Sequence, residues 1–299
     1  MSSSPASPPL TNDDQSRRFL FEEADIRGQC VQLDAAYRDI LDLHQYAPGV
    51  SRLLGEFLAA AALLSSNLKF EGRLILQVRS EGQVPLLMAE CDHMLQIRGI
   101  ARGAQQATSN SNDQLLRNGQ LVITIDPTHG QRYQGITALQ QNSLAHSLDA
   151  YFEQSEQLKT RLWLAADGQR AAGLLLQQLP AQMIRDETQQ KHQWEHTCSL
   201  ATTVSDTELL NLDAEQLLHH LYHQDPIRLF NPILVRFHCN CSRERSLNAL
   251  TTLQQPELEE LIQETGSITM DCEFCNQRYC FSREDLSDIL EDTESKTLH

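Results

Sequence analysis

The sequence predicts an α+β protein in three parts: an N-terminal mixed α/β sheet domain, a helical middle linker segment and a small C-terminal zinc-binding domain. Three observations carry this expectation. Runs of strand length recur around helical stretches up to residue 180. After Pro180 the composition shifts to Gln, His, Glu and Leu at helical spacing. Five of the eight cysteines then crowd into residues 239–280.

Residues 1–16, rich in Ser, Pro and Asp, read as a disordered, solvated tail. The core domain spans 17–180. Residues 19–33 hold short β-prone runs, and Asp34 is a plausible N-cap for the amphipathic stretch 35–46. A second helix covers 50–68, its Ala-rich middle suited to close packing. Strands follow at 73–80, 85–91, 94–102 and 120–126, with tight turns at Asn118-Gly119 and Gly130. Residues 143–156 are helical by periodicity, and 160–166 and 172–179 close the domain as strands. Residues 181–231 form the linker, with helices at 192–204 and 213–223 whose thin apolar faces need a surface on the first domain. Residues 232–299 form the cysteine-bearing unit with an acidic tail.

The chain of 299 residues is about two domains long and carries a formal net charge of −16. That charge repels phosphate backbones, so no nucleic acid partner is expected. The most apolar stretch, residues 57–64, is far shorter than the ~20 residues a bilayer span needs, so no membrane partner is expected. The N-terminus has no basic start and no apolar core, hence no secretory signal, and a cytoplasmic location is expected. There the cysteines do not form a static disulfide framework.

Cys239-Asn-Cys241 and Cys272-Glu-Phe-Cys275 are two close pairs separated by 30 residues, the arrangement that places four thiolates around one Zn²⁺. The bland alternative is a constitutive zinc ribbon that only holds its fold. Three physical points favour a switch. The unit is small and poor in apolar residues, so it depends on metal for folding, to which structural zinc contributes about 10–16 kcal/mol. Zinc keeps the sulfurs as thiolates, the form that oxidants attack. Each thiolate also has a partner two or three residues away, so oxidation can close Cys239 on Cys241 and Cys272 on Cys275.

These residues resemble the redox-regulated 33 kDa chaperonin family of bacteria, a heat-shock holdase. The resemblance lies in CSRER (241–245) after the first pair and CEFCNQRY (272–279). It also runs through RFLFEEADIRG (18–28), LLSSNLKFEG (63–72), RGIAR (98–102), ITIDPTHGQRYQG (123–135) and YFEQSEQLKTRLWL (151–164). It implies a reduced, monomeric, inactive form in which Cys239, Cys241, Cys272 and Cys275 hold one zinc. Oxidation would form the disulfides Cys239–Cys241 and Cys272–Cys275, release the metal and unfold the terminal unit and linker. The oxidised homodimer would hold unfolding client proteins without ATP, protecting against aggregation under oxidative and heat stress. Loss of support would expose apolar helix faces such as Leu217, Leu218 and Leu221 for clients. Three positions depart from the pattern: Cys280, where a non-cysteine residue is expected; Asn276, where Gly is common; and Ser246, where some relatives carry a cysteine.

His192, Glu195 and His196 spell the inverted zinc-protease motif HxxEH, against the alternative of a polar helix face. His219, His220 and His223 read as solvated positions, and His238 as strand-end packing. A nucleic-acid zinc ribbon conflicts with 6 Lys+Arg against 13 Asp+Glu in residues 232–299. Arg243, Arg245, Arg278 and Arg283 are instead expected to screen the Zn(Cys)₄ charge. A thiol oxidoreductase built on Cys272 and Cys275 lacks a helix after the motif. Cys30, Cys91 and Cys198 read as buried or neutral thiols. No catalytic triad signature is present, and the chain is not expected to be an enzyme.

Overall fold

The computed structural model describes residues 14–66, 71–140, 143–156, 158–287 and 289. Most of the expected N-terminal tail, and the acidic C-terminal tail, lie outside them. The described residues form two compact units, one up to His238 and one from Cys239.

The first unit contains two sheets. One runs β10 (Ile227–Leu229), β1 (Gln15–Phe21), β2 (Ile26–Leu33), β9 (Ala171–Gln178) and β8 (Thr160–Ala166), with β11 (Ile233–Leu234) also on β1. The other runs β12 (Arg236–Phe237), β5 (Gln96–Arg102), β4 (Leu86–Asp92), β3 (Gly72–Arg79), β6 (Gln120–Pro127) and β7 (Tyr133–Ala138). This is the expected α+β class. Gln15 and Ser16, assigned to the tail by composition, are strand residues here.

Helix α1 (Ala35–Asp42) starts after Asp34, but the Asp34 side chain makes no cap hydrogen bond. The buried Asp14 carboxylate accepts from the backbone N–H groups of Asp34 (2.6 Å) and Ala36 (3.0 Å) instead. The helix start is thus satisfied from a residue twenty positions upstream. Helix α2 (Pro48–Ser65) begins with Pro at its first position, where no intrahelical donor is lost. It packs against strands of both sheets, and Ala59, Ala60, Ala61 and Ala62 are fully buried, which permits close backbone approach. Short α3 (Asn112–Leu115) and α4 (Leu144–Tyr151) complete this layer, and α4 continues into a π-helical turn, Phe152–Glu156.

The middle segment folds as α5 (Glu187–Ala201), α6 (Asp206–Asn211) and α7 (Ala214–Tyr222) on the outer face of the first sheet. Asp186, Ser205 and Asp213 cap the three helices by accepting from backbone N–H groups. Trp194, Leu209, Leu217, Leu218 and Leu221 join Phe19, Phe21, Leu174 and Leu176 in one cluster. Phe21 meets Tyr222 edge to face, with ring centres 5.0 Å apart. Gly28 is required beneath the Phe19 ring, because a Cβ there would lie 2.1 Å from a ring carbon. The Asp25 carboxylate receives the backbone N–H groups of Gln182, Met183 and Ile184 and so pins the start of the segment. The thin helix faces therefore have the sheet surface they need.

From Val50 onward, all of α2 is buried except Arg52 and Glu56. Burial raises the Glu56 carboxyl to about 7, Asp206 of α6 adds to the rise, and Arg52 opposes it. The folded protein keeps a proton that the unfolded chain releases near pH 4.5. Stability from this group is therefore full below that pH and is lost as pH rises through 7. Glu56→Gln is expected to melt higher than the parent at pH 8, by at most about 3 kcal/mol in stability, with the gap closing towards pH 4.5. Equal melting temperatures at pH 8 would contradict this account.

Candidate metal centre

The second unit consists of α8 (Arg243–Leu250), α9 (Gln255–Thr265), the hairpin β13 (Ser267–Asp271) and β14 (Arg278–Ser282), and a short 3₁₀ turn, Glu284–Leu286. Among the described residues its buried core is six residues, Leu250, Leu258, Ile262, Ile268, Phe281 and Leu286, with Leu247, Met270, Tyr279 and Ile289 partly buried against it. So few apolar residues do not stabilise a unit of this length alone.

Cys239 and Cys241 lie on the loop before α8, which Ser242 caps by accepting from Arg245 N–H. Cys272 and Cys275 lie in the turn of the hairpin. Cys272 N–H donates to the Gln277 carbonyl at 2.9 Å, and Asn276 N–H donates to the Cys272 carbonyl at 2.7 Å. Asn276 sits at φ 58°, in the left-handed region where Gly is favoured and Asn is the best-tolerated substitute. The Gly-to-Asn departure therefore keeps the turn.

The four sulfurs lie within 4.8 Å of one another. Cys239 and Cys272 are 3.6 Å apart, and Cys241 and Cys275 are 3.4 Å apart. Ligands at about 2.3 Å around a tetrahedral zinc would be about 3.8 Å apart. The donor set and its spacing thus fit a tetrahedral metal ion. Burial opposes ionisation at Cys241, but the Tyr279 hydroxyl, donating at 3.2 Å, and the neighbouring sulfurs bring its thiol below the ordinary value. Burial pushes the Cys272 and Cys275 thiols up. Tyr279 was not singled out from the sequence as a sulfur partner. Its signal was alternation along β14, which points Tyr279 and Phe281 to one face of the hairpin and Cys280 to the other.

Cys280 is accordingly exposed, outside the four-sulfur group, with Thr269 Oγ1 3.6 Å from its sulfur. Cys280→Ser is expected to leave metal stoichiometry unchanged, as measured by chelator titration; a lower stoichiometry would bring it into the site. Cys30, Cys91 and Cys198 lie elsewhere, with burial raising each thiol to about 12, so they are poor nucleophiles.

The arginines screen less directly than expected. Arg243 pairs with Asp285 at 2.8 Å and lies 4.5 Å over the Phe281 ring, and Arg278 pairs with Asp271 at 2.7 Å. Arg245 donates to the Asn240 carbonyl between the first two cysteines, and Arg283 opens the 3₁₀ turn. His192, Glu195 and His196 are exposed on α5, and Glu195 lies 3.8 Å from Lys191. Among the described residues they have no third ligand, and the same holds for His219 and His223, whose rings are 6.3 Å apart. His220 faces Glu208 at 3.2 Å, and His238 extends the β12 pairing through its N–H to the Ile97 carbonyl. Leu217, Leu218 and Leu221 are buried against the first sheet.

The family model described as Hsp33 protein matches residues 14–282. A 33 kDa chaperonin of Pseudomonas paraeruginosa is 50% identical over 283 residues, covering 94% of this chain and 95% of that protein. One of Azotobacter vinelandii is also 50% identical, over the same shares. A crystal structure of the 33 kDa chaperonin, a heat shock protein 33 homologue, of Thermotoga maritima superposes with a TM-score of 0.78 at 19% identity. That superposition covers 94% of this chain and 99% of the other, a likeness of fold.

Proposed function

The chain belongs to the Hsp33 family of chaperones, which bind client proteins, and from that premise we propose that it is a cytoplasmic, redox-regulated, ATP-independent holdase. The observation that carries the reading is a four-sulfur cluster in a unit with a six-residue core.

Cys239, Cys241, Cys272 and Cys275 would hold one zinc ion in the reduced monomer. Zinc there would supply folding energy and keep the sulfurs as thiolates. A thiolate attacks hypochlorous acid, its sulfur takes the chlorine and hydroxide leaves. A second thiolate then displaces chloride to form the disulfide. Two such events consume all four ligands, after which the six core residues do not keep the unit folded. The family resemblance implies the pairing Cys239–Cys241 and Cys272–Cys275. The cross pairs Cys239–Cys272 and Cys241–Cys275 lie 3.6 Å and 3.4 Å apart in a group whose four sulfurs all lie within 4.8 Å of one another, and non-reducing peptide mapping separates the two schemes.

In this reading the middle segment then leaves its sheet, exposing Leu217, Leu218 and Leu221 on the helices and Phe19 and Phe21 beneath them. The oxidised form dimerises, and the net charge of −16 keeps it soluble. The test is titration with hypochlorite while following free zinc, thiol content and far-UV circular dichroism. Loss of four thiols with release of one zinc and loss of helix is expected. Disulfides formed with zinc retained and helicity unchanged would leave a structural ribbon.

A further inference from the structure

We infer that the outer edge of strand β1 is a client-binding site that accepts one extended, alternately aliphatic segment by strand addition, and that residues 226–235 occupy it as an internal pseudo-substrate. This rests on the holdase reading above and names its client surface.

Along β1, the even-numbered residues turn their backbone groups outwards. The Arg18 carbonyl accepts from Phe230 N–H, the Asp14 carbonyl accepts from Val235 N–H, and Glu22 N–H donates to the Pro226 carbonyl, each at 2.9 Å. Register pairs Leu20 with Arg228 between the first and third of these, in β10. Every one of these partners comes from residues 226–235. On the side-chain level, Leu229 lies opposite Phe19 and Ile227 opposite Phe21, and both aliphatic residues pack on the cluster beneath the middle helices. The seated segment therefore displays what the site selects: extended backbone with aliphatic side chains at i and i+2. Such segments are the interior strands of other proteins, exposed when those proteins unfold.

The cover is built to come off. β10 is three residues long and β11 two, and the register slips by one residue across Asn231 and Pro232. Pro232 offers no N–H on the side away from β1, so the covering segment is a poor template for a further strand. The segment also ends four residues before Cys239. Among the described residues, strand β7, the far edge of the other sheet, has no such covering strand. A site there would be open in every redox state, whereas the β1 edge opens only when its occupant leaves. An uncovered edge beside an apolar face is a ready template for strand addition.

The test uses the full-length protein and the synthetic peptide PIRLFNPILV, residues 226–235. Hydrogen exchange of the segment covering residues 14–22 is expected to rise on oxidation and to fall again with peptide or client bound. The peptide is expected to compete with client for the oxidised protein. The same peptide N-methylated at Arg228 and Phe230 keeps its side chains but loses two donors, and is expected to compete about 10-fold less well or worse. Equal competition by the methylated peptide, or β1 amides that stay protected in a client-holding oxidised protein, would overturn the edge site alone. An oxidised protein that holds no client before peptide is added would instead overturn the holdase reading.

Discussion

Cys272→Ser is expected to yield a reduced protein with less than about a tenth of an equivalent of zinc and an unfolded C-terminal unit. A serine hydroxyl stays protonated at neutral pH and does not replace a thiolate, which leaves three ligands. Structural zinc supplies on the order of 10–16 kcal/mol, as much as the whole stability of an ordinary domain. Against that stands a core of six residues, among which only Phe281 is a large aromatic side chain. The check is zinc content by chelator absorbance beside far-UV circular dichroism. A variant with one full equivalent of zinc and parental helicity would contradict the metal's structural role.

Leu217→Ala is expected to loosen the middle segment without oxidation. Leu217 is 2% exposed, packed between α7 and the outer face of the first sheet. Truncating a buried Leu costs about 2–5 kcal/mol. Helix α5 buries only Trp194, Thr197 and Ala201, so its neighbours have little to spare. The reduced variant should bind a hydrophobic dye and suppress client aggregation at a temperature where the reduced parent does neither. Unchanged dye binding with unchanged zinc would show that the segment is not the weak layer.

The parts of the fold legible in the sequence are those fixed by local pattern. β3, β4, β5 and β6 alternate or run apolar between turn residues, and α7 falls within the expected 213–223, whereas α5 begins at Glu187, five residues before the expected 192. The four cysteines were legible because metal ligation imposes spacing. What was not legible depends on partners far away in sequence. β10, β11 and β12 are two or three residues long and exist because β1 and β5 pair with them. β7 shows mostly exposed residues and no apolar alternation strong enough to mark it. Asp14 took the capping role assigned to Asp34 because tertiary structure brings its carboxylate to the start of α1. Tyr279 reaches Cys241 only across the folded hairpin, 38 positions along the chain.

The central claim is that client holding is gated by the state of the cysteine cluster. Light scattering from a heat-denatured client, without ATP, measures it directly when released zinc is determined in the same samples. Reduced, zinc-loaded protein should leave scattering unchanged, and protein oxidised at heat-shock temperature should suppress it in proportion to the zinc released. Equal behaviour of the two forms, with zinc retained in both, would contradict the account.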